Sequence, residues 1–396
     1  MTQQQGSCGT WVEHFPGNLR WSNATQIIKG MTPFGAVSME QIDRVGQRMQ
    51  ARLRAGDDQD TVWREEWCRM AEWNEKQADK AAAEGRQMTA GNFYLRAGNY
   101  YYSGERFVPP GEEKMAIYRK ALRCYRAGIE RRYPQIGRVD VPYEKSALCA
   151  YFLKAEGVTG KAPTLVIFNG MDNCKEMNVI FAGLEFSRRG MHVLAVDGPG
   201  QGETLRMNKI ASRPDYEVAG TAVFDYLVNS RPEVDLKRVT VMGYSFGGYL
   251  APRIAGLEKR YAGCVAFGAM HWDLHGWQRE IKQKLAKDAK TSFSSVFQFR
   301  WVVGAPDNDT AMEWAKKFTL EGVADKIECP VLVMHGENDR IVPVEEARTL
   351  YERIGSRKKT LKIYTREDGG AEHCQVDDRP MGVDYMADWI EANVNR

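Results

Sequence analysis

A serine placed between two glycines is the first feature of this sequence that suggests chemistry. Residues 239–250 read VTVMGYSFGGYL, an apolar run that passes through Gly243, Ser245 and Gly247 into a helical-looking segment. A strand that turns sharply into a helix strains the residue at the corner, and small flanking residues avoid collisions there. The pattern predicts a turn that holds the Ser245 hydroxyl above a sheet edge as a nucleophile. The alternative is an ordinary serine in a glycine-rich turn.

Two further residues complete the predicted catalytic group. A serine hydroxyl is a weak nucleophile unless a base removes its proton, and the base needs an acid to orient it. Asp339 follows the apolar run PVLVMHG, and His373 lies in the loop after the run TLKIY. Both follow Ser245 in the chain order nucleophile, acid, histidine. The alternatives are Glu337 as the acid, or Asp339 as a plain turn residue; the other histidines precede the sheet, lie in strands or belong to an inserted segment.

Two backbone amides are predicted to stabilise a negative oxygen beside this serine. One belongs to Phe246, the first residue of the following helix, and the other to Met171, which follows the strand ending FNG. Amides at the start of a helix are suited to that task because they lie at the positive end of its dipole. The glycine-rich stretch DGPGQGET at 197–204 lacks the G-x-G-x-x-G register and a Walker lysine, so we predict a structural turn there.

The elements that must position these residues divide the chain near residue 135. Residues 35–132 show apolar and aromatic side chains at helical spacing, and no strand pattern. From residue 136 onward, short apolar runs alternate with helical segments, which predicts an α/β fold with a mostly parallel sheet covered on both faces. The first two runs lack an intervening helix and predict an antiparallel edge pair. A helix-prone insertion at about 269–328 is expected to cap a binding crevice.

Composition argues against several classes of function. The formal net charge is +3 and the basic residues are scattered among acids, so no nucleic-acid partner is expected. No apolar stretch is long enough to span a membrane, and the start lacks a signal-peptide pattern, so we expect a cytoplasmic protein without membrane contact. The 8 cysteines are widely spaced, which indicates reduced thiols rather than a disulfide framework.

The stretch GAMHWDLHGW raises the question of a metal. His271, Asp273 and His275 alternate, so in an extended segment they would share one face. No fourth ligand has a clear position, so we predict a pocket wall or paired polar residues. We expect no metal and no other cofactor.

Several motifs together resemble one known family. The stretches FNGMDNCKE, AVDGPGQGE, GYSFGGYLAPRIA and HGENDRIVP, preceded by FYLRAGNYYYSGE, are similar to the family of 2,6-dihydroxypseudooxynicotine hydrolase, which includes fungal polyketide chain-shortening hydrolases. The resemblance extends over most of the chain, including its amino-terminal helices. It implies an α/β-hydrolase fold with a mostly parallel sheet, a helical region at 1–135 that contributes to the substrate cavity, and a core at 136–396 with a helical cap insertion.

The resemblance also implies an activity and roles for residues. The activity is hydrolysis of a carbon–carbon bond next to a ketone in an aromatic or polyketide-like substrate, by a homodimer. Ser245 matches the nucleophile, His373 the base and Asp339 the orienting acid, with the amides of Met171 and Phe246 as the oxyanion hole. Family members also use an acid near the cap, for which Asp273 is a substrate-binding candidate, although no motif aligns it.

Three alternatives stay open from sequence. The same residues cleave esters and thioesters more easily than ketones, because alkoxide and thiolate are better leaving groups than carbon. A carboxylesterase or thioesterase for a bulky aromatic ester is therefore the nearest alternative. Another is direct attack by a water that the histidine activates, without an acyl-enzyme. A third is a catalytically silent hydrolase fold that serves as a binding protein.

Overall fold

The amino-terminal part of the chain is a helical layer. The computed structural model describes residues 13–269 and 272–395, and within these ranges no helix has the length and apolar character that a membrane span requires. The cysteines of this described part form no disulfide. Before the first strand the chain forms α1 (Leu19–Lys29), α2 (Met39–Arg54), α3 (Gln59–Ala83), α4 (Gln87–Gly104) and α5 (Glu112–Arg132).

One sheet of eight strands forms the centre of the remaining chain, in the order β1-β2-β4-β3-β5-β6-β7-β8. Strand β2 pairs antiparallel with β1 and β4, and every other pair is parallel. The predicted antiparallel edge pair and mostly parallel sheet are therefore confirmed. The strands are β1 (Ile136–Tyr143), β2 (Ser146–Leu153), β3 (Ala162–Phe168), β4 (His192–Asp197), β5 (Val234–Tyr244), β6 (Gly263–Phe267), β7 (Val331–Gly336) and β8 (Lys359–Tyr364).

Helices connect the parallel strands. A helix between β3 and β4 is interrupted by a π-helical turn at Val179–Gly183, and three α-helices lie in the described residues between β6 and β7. These three lie where the sequence predicts a cap. The helices are α6 (Lys175–Asn178), α7 (Leu184–Arg188), α8 (Gly202–Arg206), α9 (Glu217–Ser230), α10 (Phe246–Leu257), α11 (Leu274–Lys287), α12 (Gln298–Val303), α13 (Asn308–Ala315), α14 (Val344–Arg353) and α15 (Arg379–Asn393).

Both faces of the sheet are buried. Along β3, Leu165 and Ile167 join an apolar cluster with the amino-terminal helices, α6, α7 and α15. The alternate residues Val166 and Phe168 join a second cluster with α9, α10 and α14. Alternation of side chains along a strand explains why the central strands read as nearly continuous apolar runs.

A buried ionic cluster ties the helical layer to the core. Glu105 follows α4, Lys114 lies on α5 and Arg206 ends α8, and each side chain is at most 5% exposed. The Glu105 carboxylate pairs with both cations, and Lys114 also donates to the carbonyl oxygen of Glu105 at 2.7 Å. Lys114 lies 4.8 Å from the ring centroid of Trp301 on α12. The cluster therefore joins the helical layer, the core and the inserted helices.

Candidate active site

Ser245 is the corner residue between β5 and α10. Its backbone has φ 56° and ψ −125°, a conformation that strains every residue except glycine. Two hydrogen bonds hold the corner: the Ser245 amide donates to the Phe267 carbonyl oxygen at 3.0 Å, and the Ser245 carbonyl oxygen accepts from the Gly248 amide at 2.7 Å. The strained corner is therefore fixed by the neighbouring strand and by the first turn of the helix.

The glycines on either side of Ser245 are required by close backbone contacts. A Cβ atom on Gly243 would lie 2.0 Å from the carbonyl oxygen of Gly247, and a Cβ atom on Gly247 would lie 2.7 Å from the carbonyl oxygen of Asn169. Both distances are shorter than real Cβ contacts, and the opposing atoms belong to the backbone. A side chain at Gly243 would force β5 away from α10, and one at Gly247 would force α10 away from the end of β3.

His373 links Ser245 to Asp339. Its Nε2 atom lies 2.9 Å from Oγ of Ser245, and its Nδ1 atom lies 2.6 Å from Oδ2 of Asp339. An ionised carboxylate only accepts hydrogen bonds, so Nδ1 carries the proton and Nε2 is left to accept from the serine hydroxyl. Burial by itself would lower the pKa of His373, but the carboxylate of Asp339 outweighs burial and holds that pKa well above its ordinary value.

The Asp339 side chain is fully buried, and both of its oxygens have partners. Oδ1 accepts from the backbone amides of Ile341 and Val342 at 2.8 and 2.9 Å, and Oδ2 faces His373. Burial alone would raise the pKa of Asp339, but the adjacent histidine and the hydrogen bonds outweigh burial and lower that pKa. The carboxylate is thus held ionised in a fixed orientation.

His335 and Glu337 lie close to Asp339 in the sequence, but their side chains have different contacts. His335 at the end of β7 places Nε2 3.0 Å from the Val342 carbonyl oxygen and 3.5 Å from Oδ2 of Asp339. It therefore places a second N–H beside Oδ2, a contact that sequence reasoning missed. Glu337, the alternative acid, is exposed and accepts a hydrogen bond from the Arg366 amide at 2.6 Å.

The two predicted oxyanion amides belong to backbone that borders Ser245. Met171 lies in the loop after β3, Phe246 begins α10, and both line the same cavity as Ser245 and His373. The loop passes close to the serine, because a Cβ atom on Gly170 would lie 3.0 Å from Cβ of Ser245. The start of α10 contributes the positive end of a helix dipole to this side of the serine.

Gln201 positions the loop after β3, a role that sequence reasoning missed. Its Nε2 atom donates to the Asn169 carbonyl oxygen at 2.5 Å. Its Oε1 atom accepts from the amides of Asn169 and Gly198 at 3.3 and 3.0 Å. Gln201 belongs to the stretch DGPGQGET, which forms a turn between β4 and α8 as predicted. The stretch carries no motif that would indicate its contact with another loop.

The cavity beside Ser245 has walls from three distant parts of the chain. Its volume is about 60 Å³, much smaller than the several hundred Å³ typical of sites for large ligands. The enclosed space beside Ser245 is therefore narrow. The walls outside the core include Asn23 and Ile27 from α1, and Trp277, Phe293 and Gln298 from the segment between β6 and β7.

Asp273 lies outside the set of described residues that line this cavity. It is exposed, and its Oδ1 atom accepts from the Gly276 amide at 2.9 Å, which makes it the N-cap of α11. Helix capping accounts for an aspartate at this position. Its role as a substrate contact therefore stays a prediction that its surroundings do not support. His271, considered with it as a metal ligand, falls outside the described residues.

Comparisons with known proteins bear on the family. A family model described as serine aminopeptidase, S33, matches residues 162–368. The α/β-hydrolase gkaG of Penicillium citrinum is 31% identical over 317 residues, which cover 68% of this chain and 72% of that protein. The 2,6-dihydropseudooxynicotine hydrolase of Paenarthrobacter nicotinovorans is 26% identical over 337 residues, which cover 83% of this chain and 84% of that protein.

A solved structure extends the likeness to the whole fold. The crystal structure of the 2,6-dihydroxy-pseudo-oxynicotine hydrolase aligns with a TM-score of 0.72 and 22% sequence identity, and covers 92% of this chain and 95% of that chain. The likeness therefore includes the helical layer as well as the sheet. The fold and family that the motifs predict are confirmed, and the chain is a hydrolase that belongs to the α/β-hydrolase family described as serine aminopeptidase, S33.

Proposed function

We propose that this enzyme is a serine hydrolase that cleaves a carbon–carbon bond next to a ketone in an aromatic or polyketide-like substrate. The assignment of Ser245 as the nucleophile is supported by the hydrogen bonds that connect Ser245 to His373 and His373 to Asp339. The bond type is supported by similarity to a 2,6-dihydropseudooxynicotine hydrolase over 83% of this chain.

The first half-reaction begins with proton transfer. Nε2 of His373 takes the proton from Ser245 as Oγ attacks the ketone carbon, and the resulting imidazolium is stabilised by the Asp339 carboxylate. The carbonyl oxygen becomes an alkoxide that accepts hydrogen bonds from the amides of Met171 and Phe246. Each oxyanion donor of this kind contributes about 100- to 1000-fold to kcat.

Collapse of the tetrahedral species breaks the carbon–carbon bond. The electron pair leaves with the departing fragment, so that fragment must accept it as an enolate or as a hydroxylated ring. His373 returns its proton to the leaving carbon, and the acyl group stays on Ser245. This requirement explains why the substrate class is aromatic or polyketide-like rather than a simple ketone.

Water completes the reaction. His373 removes a proton from water, the hydroxide attacks the acyl-enzyme, and Ser245 Oγ leaves with the proton that the histidine holds. The net change is ketone plus water to a carboxylic acid and a protonated leaving fragment. In the variant mechanism, His373 activates water that attacks the ketone directly and Ser245 only orients it.

Two parts of the chain outside the core also have proposed roles. We propose that residues 1–135 form one wall of the substrate cavity and that the segment at about 269–328 caps it. Support comes from the cavity-lining residues Ile27 on α1 and Trp277 on α11. A homodimer and a cytoplasmic location stay predictions from the sequence.

The test compares one aryl β-diketone with a matched aryl ester on the purified enzyme. We expect both to be hydrolysed, with the diketone yielding a carboxylic acid and a methyl ketone. Ser245→Ala should abolish both activities, and a fluorophosphonate probe should label Ser245 in the folded wild-type enzyme. Ser230→Ala, at an exposed position on α9, is the matched control and should keep wild-type activity.

The outcomes separate the alternatives. Hydrolysis of the ester alone makes the enzyme an esterase and overturns the carbon–carbon assignment. Diketone cleavage without a trapped acyl-enzyme supports direct water attack. Failure of the probe to label Ser245, together with no turnover of either compound, would leave a binding protein with a hydrolase fold.

A further inference from the structure

Arg379 is a buried cation in the wall of the cavity beside Ser245. It is the first residue of α15, and the side chain belongs to a residue only 3% exposed. Within residues 13–269 and 272–395, no carboxylate forms an ion pair with it. Its Nη1 atom donates a hydrogen bond to the weak acceptor Sδ of Met31 at 3.3 Å, and its guanidinium lies 4.8 Å from the ring centroid of Phe181.

The position of Arg379 is costly for the folded protein. A buried charge without a partner is destabilising, and a cation at the start of a helix is repelled by the positive end of the helix dipole. Burial lowers the pKa of Arg379, although a guanidinium stays protonated in proteins. By contrast, the buried Arg206 is paired with Glu105. The molecule thus pairs one buried arginine and leaves the cavity arginine without a carboxylate.

Two residues that line the same cavity each have a buried polar atom without a hydrogen-bond partner. The Tyr244 hydroxyl and Oδ1 of Asn173 have no hydrogen-bond partner among the described residues. The residues are 2% and 5% exposed, respectively. The positive charge of Arg379 acts on the Tyr244 phenol, and the Asn173 side chain lies beside it. Buried polar atoms are nearly always satisfied, so two unpartnered atoms beside an arginine that has no carboxylate indicate a ligand that completes them.

The arginine is also fixed in place by the helical layer. A Cβ atom on Gly30, at the end of α1, would lie 2.9 Å from Nε of Arg379 and 3.1 Å from the Val376 carbonyl oxygen. The backbone of α1 therefore closes directly over the guanidinium. Since α1 covers this side of the guanidinium and the cavity borders the same side chain, the cavity is where a counter-ion can reach it.

We propose that Arg379, Tyr244 and Asn173 form an anion subsite that binds a negatively charged oxygen group of the substrate, a carboxylate or an enolate. The proposal rests on the proposed function only in naming the bound molecule a substrate. A planar guanidinium donates two parallel hydrogen bonds to a delocalised oxygen pair, which a carboxylate and the enolate of a β-diketone both present. The substrate class is thereby narrowed to ketones that carry an anionic oxygen group on the side facing α1 and α15.

The test measures binding by calorimetry to Ser245→Ala, so turnover is not needed and the result does not depend on the catalytic role of Ser245. Four probes separate the sources: benzoylpyruvate has a carboxylate and an acidic enol, phenylbutyrate only the carboxylate, benzoylacetone only the enol, and butyrophenone neither. In Ser245→Ala/Arg379→Met we expect benzoylpyruvate to bind about 10- to 100-fold more weakly and butyrophenone to be unchanged.

The single-feature probes then identify the source. A parallel loss for phenylbutyrate assigns the carboxylate, and a parallel loss for benzoylacetone assigns the enolate. The proposal would be overturned if Arg379→Met weakened the binding of all four probes equally or did not weaken the binding of benzoylpyruvate. It would also be overturned if Ser245→Ala bound neither phenylbutyrate nor benzoylacetone measurably. Absence of ketone hydrolysis by the wild-type enzyme would instead count against the proposed function. The binding measurements would still test the anion subsite, because they do not depend on turnover.

A stability measurement separates a ligand role from a structural one. Without ligand, Arg379→Met should melt at or above the temperature of the wild-type protein, because it removes an unpaired buried charge. Arg206→Met is the matched control and should melt lower, because it leaves Glu105 buried with one cation less. If Arg379→Met lowered the melting temperature as much as Arg206→Met, the arginine would have a structural role in the folded protein, which would contradict the proposal.

Discussion

Oδ2 of Asp339 lies 2.6 Å from Nδ1 of His373, while Oδ1 of the same carboxylate is held by two backbone amides. The carboxylate therefore cannot rotate without breaking contacts on both sides. This fixed acceptor keeps the proton on Nδ1, and that tautomer is the one in which Nε2 can take the serine proton.

Asp339→Asn should lower kcat about 10⁴-fold with little change in fold. An amide nitrogen in place of Oδ2 would face Nδ1 as a donor and favour the wrong tautomer of His373. The measurement is steady-state hydrolysis of the aryl ester. Glu337→Gln, an equivalent change at the exposed acid two positions earlier, is the control and should keep wild-type kcat; a comparable loss there would contradict the assignment of the acid.

The pH dependence should follow the raised pKa of His373. Only the neutral imidazole accepts a proton, so kcat/KM should fall as the pH drops through a pKa that lies above 6.5. The Asp339 carboxylate is the main influence that raises the pKa of His373, so Asp339→Asn should move the midpoint to lower pH. A profile with the same midpoint in both proteins would show that another group controls activity.

The raised pKa of His373 should also make stability depend on pH, but with the favourable side at low pH, where activity is lost. A folded-state pKa above the unfolded value of 6.5 favours the folded protein at low pH. The His373 contribution is therefore fully present below that value and is lost as the pH rises through the folded pKa. Urea unfolding of the wild type and of His373→Gln across this window should converge at high pH; a constant difference would contradict the linkage.

Ser245→Gly should stabilise the protein while it removes activity. Glycine adopts the backbone conformation of Ser245 without strain, and a strained residue of this kind costs about 1–3 kcal/mol. The added freedom of glycine in the unfolded chain offsets part of this, so we expect a net gain of about 1 kcal/mol in urea unfolding. Ser245→Ala retains Cβ and is the control: it should lose activity without that gain.

Glu105→Gln should loosen the attachment of the helical layer. It leaves Lys114 and Arg206 buried without their common carboxylate, and loss of one partner from a buried ionic group typically costs about 3–5 kcal/mol. Denaturant unfolding measures the effect. Glu112→Gln on the exposed surface of α5 is the matched control and should unfold like the wild type. Equal stability of the two variants would mean that the cluster contributes little.

The fold and the core of the candidate site follow from features that the sequence displays directly. Gly243, Ser245 and Gly247 are adjacent in the chain, and the collisions that require the glycines are local to one corner. Asp339 and His373 each follow a strand of the sheet, and parallel strands bring their carboxyl ends to one edge. Strand alternation and residue order are thus enough to predict where these three side chains lie.

The cavity and its selectivity depend on tertiary structure alone. Ile27 and Trp277 reach the site from elements far apart in the sequence, and no motif marks either residue. Arg379 looks like an ordinary charged residue at the start of a helix until the packing of α1 buries it. Asp273, the substrate-binding candidate that the family resemblance implies, caps α11 and lies outside the described residues that line the cavity. Sequence encodes local geometry and strand order, whereas burial and the pairing of charges arise only when distant segments pack together.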